Sequence, residues 1–198
     1  MKELIGSLVQ LLVFSAVPLL VWFFTARKKE SFFSWIGLTK PVLKDPGKTI
    51  LISALATLLY IGATVLSLKL LPEGITTAGS QFAGQGASAI LSVIFYALIR
   101  TALSEEILFR GFLLKRIQTK AGYRTGNMVQ ALLFGLLHGI PFALVTKSVP
   151  VFVLLTLLPG GFGYFEGWLN EKQCGCSIVP GWILHGLVNL LSGILSLF

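Results

Sequence analysis

Ser104-Glu105-Glu106-Ile107-Leu108-Phe109-Arg110-Gly111 sets three charges inside a stretch, about Ala87 to Leu114, that otherwise reads as a membrane-spanning helix. A charged side chain well inside a bilayer costs at least about 2.5–3.5 kcal/mol on insertion scales, so such residues face a polar cavity and carry function. The stretch therefore predicts a helical membrane protein with a site inside it. Glu106 and Arg110, four apart, share a helix face in the order that favours pairing. Glu105 lies about 100° around the helix and is left without an in-helix partner, which suits general acid/base work. The competing reading is an ion cluster that only locks helices together.

Composition agrees with a membrane setting. The 198 residues have a mean hydropathy of +0.84 and only 12% charged side chains, outside the range of soluble domains. The formal charge of +8 does not point to nucleic acid, because the bases sit in loops between apolar runs and not along a basic helix. Anionic lipid is the expected partner of those loops. Cys174 and Cys176 form a Cys-Gly-Cys, too weak a signal for a metal or redox role.

Six spans follow from the apolar runs. Leu4 to Phe24 is too long for a signal-peptide core and is expected to stay in the mature protein, with Pro18 a possible kink. Arg27, Lys28, Lys29, Lys40, Lys44 and Lys48 make the next loop strongly basic, hence cytoplasmic, with Phe32, Phe33 and Trp35 expected at the interface. A second span runs from about Ile50 to Leu71, with Lys69 snorkelling outward, and Pro72 to Gly86 reads as the external loop. The third span ends at a second basic loop of Lys115, Arg116, Lys120 and Arg124; Arg100 within it is either a helper charge for the cavity or a group reaching the outer interface. The fourth, about Met128 to Val145, carries Phe134 and His138. The fifth, about Val149 to Trp168, holds Gly160, Gly161, Gly163 and Gly167, which let helices approach closely; its glycines and Pro159 leave a re-entrant element as the alternative. The sixth, Ile178 to Phe198, carries His185 and Asn189.

The expected fold is an all-α integral membrane bundle of about six transmembrane helices enclosing a polar cavity open toward the cytoplasmic side. Residues 1–86 would supply two N-terminal helices and the basic loop, and 87–198 a core of about four helices. The loop charges put both termini outside a cell membrane, and a small chain with such basic inner loops looks bacterial.

Depth brings the polar residues together. At 1.5 Å per residue, Glu105 lies roughly 15 Å from Lys115 and His138 roughly 15 Å from the start of its span; His185 and Asn189, on one face, lie roughly 8 and 14 Å in from Pro180. Two arrangements would hydrolyse a peptide bond. In one, Glu105 and His138 deprotonate a water while His185 and Asn189 donate to the oxyanion. In the other, Glu105, His138 and His185 bind a divalent metal such as zinc, with an open position for water. No His-Glu-x-x-His motif is present and Asn is a poor zinc ligand, so the metal-free arrangement is preferred and no cofactor is assigned.

At these residues the chain resembles the CPBP family of intramembrane proteases, named for CAAX prenyl proteases and bacteriocin processing and also called Abi. Three signatures occur in order: Glu105-Glu106-x-x-x-Arg110, Phe134-x-x-x-His138 and His185-x-x-x-Asn189, over roughly Ile90 to Leu195. The resemblance implies an endopeptidase cutting near a substrate's membrane-associated end, with Glu105 as the water-activating carboxylate, His138 its partner, His185 and Asn189 as oxyanion donors or ligands, and Glu106 and Arg110 as support. Glu166, outside the three motifs, is expected to snorkel. The competing function is a non-catalytic binding or bacteriocin self-immunity protein on the same scaffold. A coupled transporter lacks the inverted repeat it would need.

Overall fold

Inside a bilayer only a helix satisfies every backbone N–H and C=O within its own segment, so each apolar run folds as one. The computed structural model describes residues 2–68, 71 and 78–198, and among these there is no strand. Six helices are long and apolar enough to span: α1 (Lys2–Thr25), α3 (Pro46–Leu68), α4 (Gly86–Ala121), α5 (Tyr123–Thr146), α6 (Val149–Gln173) and α7 (Val179–Ser196). The short α2 (Phe32–Ile36) lies in the basic loop. The chain is thus an all-helical, multi-pass integral membrane protein, and α6 runs unbroken through Pro159 rather than turning back.

Burial is inverted relative to a soluble domain. Leu12, Phe24, Leu59, Leu144 and Leu195 point outward, where lipid supplies the apolar environment, whereas Ser7, Glu106, Arg110, Asn127, Gln130, Glu166 and Asn170 are buried. The closest helix pair is α5 with α6. They are joined by a turn in which Lys147 takes a left-handed conformation (φ 52°) and Ser148 caps α6 by accepting from the Val151 N–H. A Cβ on Gly135 or Gly139 would strike Thr156, and one on Gly160 would sit 3.0 Å from the Ala131 carbonyl, so glycine is what lets these backbones touch. Gly161 differs from its neighbours: its missing Cβ faces open space.

The basic end is more ordered than a solvated loop. Ser31 caps α2, and Gly37 ends it at φ 78° with the Leu38 N–H returning to the Phe33 carbonyl. The following segment is laced to residues 173–178: Ile178 N–H to Gly37 O at 2.8 Å, Lys44 N–H to Gln173 O at 3.0 Å and Ser177 Oγ to Thr39 O at 2.6 Å. Trp35, expected at the interface, is instead buried with Ala26, Ile36, Ile107 and Ile178, its ring covered by the Arg116 guanidinium at 4.0 Å. Phe33 does face outward. Lys115 and Arg116 are likewise not loop residues, because α4 continues to Ala121 and turns at Gly122 (φ 83°). Lys115 is buried, bonded to Glu171 at 2.5 Å and to the Cys176 carbonyl at 2.8 Å.

At the opposite end, Ala78–Phe82 forms a 3-10 turn, and Gly86 N–H bonds the Leu197 carbonyl at 3.2 Å. The expected position of Lys69, and residues 72–77 of the expected external loop, lie outside the described residues. Arg100 does not enter the cavity. It ties α4 to α1 by an ion pair with Glu3 (3.0 Å) and a bond to Gln10 (3.3 Å).

Candidate active site

The site is built on an irregular helix. Two π-wound stretches of α4, Tyr96–Leu103 and Ile107–Leu114, flank a short α-helical link, Ser104–Glu106. Such i→i+5 winding leaves carbonyls without their usual partners and recurs at functional sites. Here side chains answer them: Ser104 Oγ donates to Ile99 O (3.0 Å), Thr101 Oγ1 is within reach of Ala97 O (3.0 Å) and Tyr96 O (3.1 Å), and Trp182 Nε1 from α7 donates to Leu98 O (2.7 Å).

From this helix Glu105, Glu106 and Arg110 all project into the protein, at most 7% exposed. Glu106 and Arg110 pair at 3.2 Å, as their spacing predicts. Arg110 is also bonded to Glu166 of α6, which is wholly buried and does not snorkel; a guanidinium already inside the bundle offers it a partner that lipid headgroups would have to outcompete. One turn on, Asn170 Nδ2 donates to Glu106 Oε2 (3.3 Å) while its Oδ1 accepts the Gly181 N–H (2.9 Å). Neither Asn170 nor the Asn127–Gln130 pair that bonds α5 to the Tyr164 and Gly163 carbonyls is among the residues anticipated from sequence. The available signal was a polar side chain at an apolar span's buried face.

His185 stands between two acids. Its Nε2 lies 3.5 Å from Glu105 Oε2 and its Nδ1 3.6 Å from Glu106 Oε1. His138 is on the other side of Phe134, whose ring centroid is 4.6 Å from the His138 ring and 5.7 Å from the His185 ring. His138 Nδ1 lies 2.9 Å from the Phe134 carbonyl; a carbonyl only accepts, so Nδ1 is the donor, and in the neutral ring Nε2 is the nitrogen with the lone pair. Asn189 Nδ2 donates to Thr101 Oγ1 at 2.8 Å.

Glu105, His138, His185 and Asn189 all line one cavity of about 260 Å³, together with Tyr60, Tyr96 and Thr101. Its remaining lining runs through Thr64, Phe142 and Ser192 to Leu71 and Gly79, at the end of the bundle away from the basic loops. At the basic end Trp35, Ile36, Ile107 and Ile178 pack together in a hydrophobic cluster.

The trio proposed for a metal, Glu105, His138 and His185, is not the one that converges. Among the described residues, the donor atoms lying within 4.8 Å of one another belong to Glu106, Glu166 and His185. Arg110 already forms ion pairs with both of those carboxylates, and a dication would have to displace it. This donor set does not fit a resident metal.

The helical bundle thus gathers a carboxylate, two imidazoles and a carboxamide around one cavity. Residues 87–191, just over half of the chain, match the family model described as type II CAAX prenyl endopeptidase Rce1-like. The chain belongs to that family, and at the family level it is a protease acting on peptide in a lipid bilayer. No curated protein and no solved structure matches it.

Proposed function

We propose that the protein is an endopeptidase that cuts a membrane-associated polypeptide with a water activated by Glu105 and His138. Glu105 accepts a proton from the water as its oxygen attacks the scissile carbonyl carbon, and His138, acting through Nε2, shares that base role. His185 and Asn189 donate hydrogen bonds to the carbonyl oxygen as it takes up negative charge. The C–N bond then breaks, and the proton held by the carboxylate passes to the leaving amine, so atoms and charge balance.

The observation that carries this reading is that the four residues, drawn from α4, α5 and α7, line a single cavity in which Glu105 Oε2 has no hydrogen-bond partner among the described residues and faces His185 Nε2. Glu106 and Arg110 act as support through their own ion pair. The family description concerns CAAX prenyl substrates; the substrate proposed for this chain is the broader class of membrane-associated polypeptides. Basic loops facing anionic lipid on the cytoplasmic leaflet, and both termini outside, complete the proposal.

Comparative peptidomics of membranes and medium, from cells carrying wild type or Glu105→Gln at matched expression, tests it. Peptides present only with wild type are the expected result. Identical profiles beside a deletion phenotype would transfer the protein to the binding or immunity reading.

A further inference from the structure

We infer that Glu166 and Asn170 are positioning residues for His185, acting through Arg110 and Glu106. The pair lies four residues apart on α6, so both side chains leave the same face. Glu166 bonds Arg110, which forms an ion pair with Glu106 Oε1 at 3.2 Å; Asn170 donates a hydrogen bond to Glu106 Oε2 at 3.3 Å. Glu106 Oε2 is thus held by a hydrogen bond, while Oε1 is paired with Arg110 by charge and faces His185 Nδ1 at 3.6 Å, an electrostatic contact. An imidazole is rigid, so whatever fixes its Nδ1 side fixes the direction of Nε2, which here is toward Glu105.

The surroundings are shaped to this network. Glu106, Arg110, Glu166 and Asn170 are all 0% exposed, so water does not compete for their bonds. A Cβ on Gly163 would sit 2.8 Å from Arg110 Nη2, and one on Gly181 would sit 2.7 Å from both Asn170 Nδ2 and Glu106 Oε2. Two glycines on two helices therefore leave the room that the bonded side chains occupy. None of Glu166, Asn170, Gly163 and Gly181 belongs to the three motifs that carry the chemistry.

The inference rests on the hydrolase reading for its consequence, while its test reads the imidazole directly and is independent of cleavage. His138 and His185 are the two histidines of the chain, so histidine labelled with nitrogen-15 gives two ring systems, assigned by a His138→Gln variant. In full-length protein in lipid nanodiscs, Glu166→Gln and Asn170→Ala should each shift or broaden the His185 ring resonances and leave those of His138 in place. Glu166→Asp, which keeps the carboxylate, should return them toward wild type. A general loss of packing would move both histidines, and unchanged His185 signals in a folded variant overturn the proposal. Asn170→Ala changes no charge and decides the matter if Glu166→Gln does not fold. In unmodified protein, dipolar contact between His185 Nδ1 and a carbon-13 label in the Glu106 carboxyl is required, and its absence is equally fatal. With a cleavable peptide in hand, turnover in Asn170→Ala should fall roughly 10- to 100-fold with KM held.

Discussion

Asn189 is tethered to Thr101: its Nδ2 donates to Thr101 Oγ1 at 2.8 Å, and that hydroxyl is itself anchored to carbonyls of the π-wound turn below it. The oxyanion role proposed for Asn189 therefore depends on a threonine of a different helix. Thr101→Val keeps the shape and removes the acceptor, and a net hydrogen bond of about 1 kcal/mol corresponds to roughly a fivefold loss of turnover. Asn189→Ala removes the donor itself and should cost on the order of 100-fold or more. Steady-state kinetics on the two variants check this; a Thr101→Val enzyme as impaired as Asn189→Ala would mean that the threonine, not the carboxamide, meets the substrate.

His138 uses Nδ1 to hold the Phe134 carbonyl, so its contribution to chemistry is confined to Nε2. Its side chain is half-buried at the cavity wall. His138→Ala should accordingly lower turnover roughly 10²- to 10⁴-fold, the range of a general base. The melting temperature should barely move. Parallel rate and thermal-unfolding measurements separate these, and a variant that melts early yet turns over normally per folded molecule would remove His138 from the chemistry.

Arg110 pairs with both Glu106 and Glu166, with all three wholly buried. Arg110→Met leaves two carboxylates uncompensated and should destabilise the protein by about 3–5 kcal/mol. Arg110→Lys should recover only part of that, since an ammonium cannot serve two carboxylates as a planar fork does. Reversible unfolding in mixed micelles measures both, and the double change Arg110→Met with Glu166→Gln should cost less than the sum of the single changes. Strict additivity would show that the ion pair does not hold α6 to α4.

Much of this centre was legible in the sequence, for a reason tied to its solvent. Charges are so unfavourable in lipid that Glu105, Glu106 and Arg110 stand out from an apolar run, and helical rise then fixes the depth at which His138 and His185 meet them. Glu166 escaped because an acid near a helix end has two outlets, the headgroups or a buried cation, and sequence does not say which helix face meets Arg110. Asn170 escaped because uncharged carboxamides are common near span ends. Trp35 and Lys115 were misplaced for a related reason: aromatic and basic residues beside a span normally mark the interface, and the lacing of residues 37–44 to 173–178 that buries them is a long-range backbone pairing with no local signature.

The α5–α6 contact makes a contrasting pair of predictions from neighbouring glycines. At Gly135 a Cβ would overlap the Thr156 carbonyl, a backbone atom that has nowhere to go, so Gly135→Ala should cost about 1–3 kcal/mol as an overpacked contact. At Gly161 nothing lies within 4 Å, and Gly161→Ala should be neutral or stabilising by up to about 1 kcal/mol from helix propensity. Unfolding of the two variants side by side checks it; equal destabilisation would mean that α6 faces α5 through a different register.

Cys176 offers a way to learn which face of the membrane carries the basic end. Among the two free cysteines it is the exposed one, Cys174 being buried, and its loop is bonded to the 37–44 segment, so both must emerge on the same side. Burial and the nearby Glu171 carboxylate push the Cys176 thiol up, and burial does the same for Cys174. A raised thiol value means less thiolate at neutral pH, so a membrane-impermeant maleimide should react slowly at pH 7 and faster as pH rises, with one site modified. Positive charges are retained on the cytoplasmic side, so inverted vesicles should label and intact cells should not. In a Cys176→Ser background, Ser192→Cys at the far end of the cavity lining should label with the reverse sidedness. Labelling of Cys176 from outside would invert the whole assignment, putting the termini in the cytoplasm and turning the far end of the cavity lining toward it.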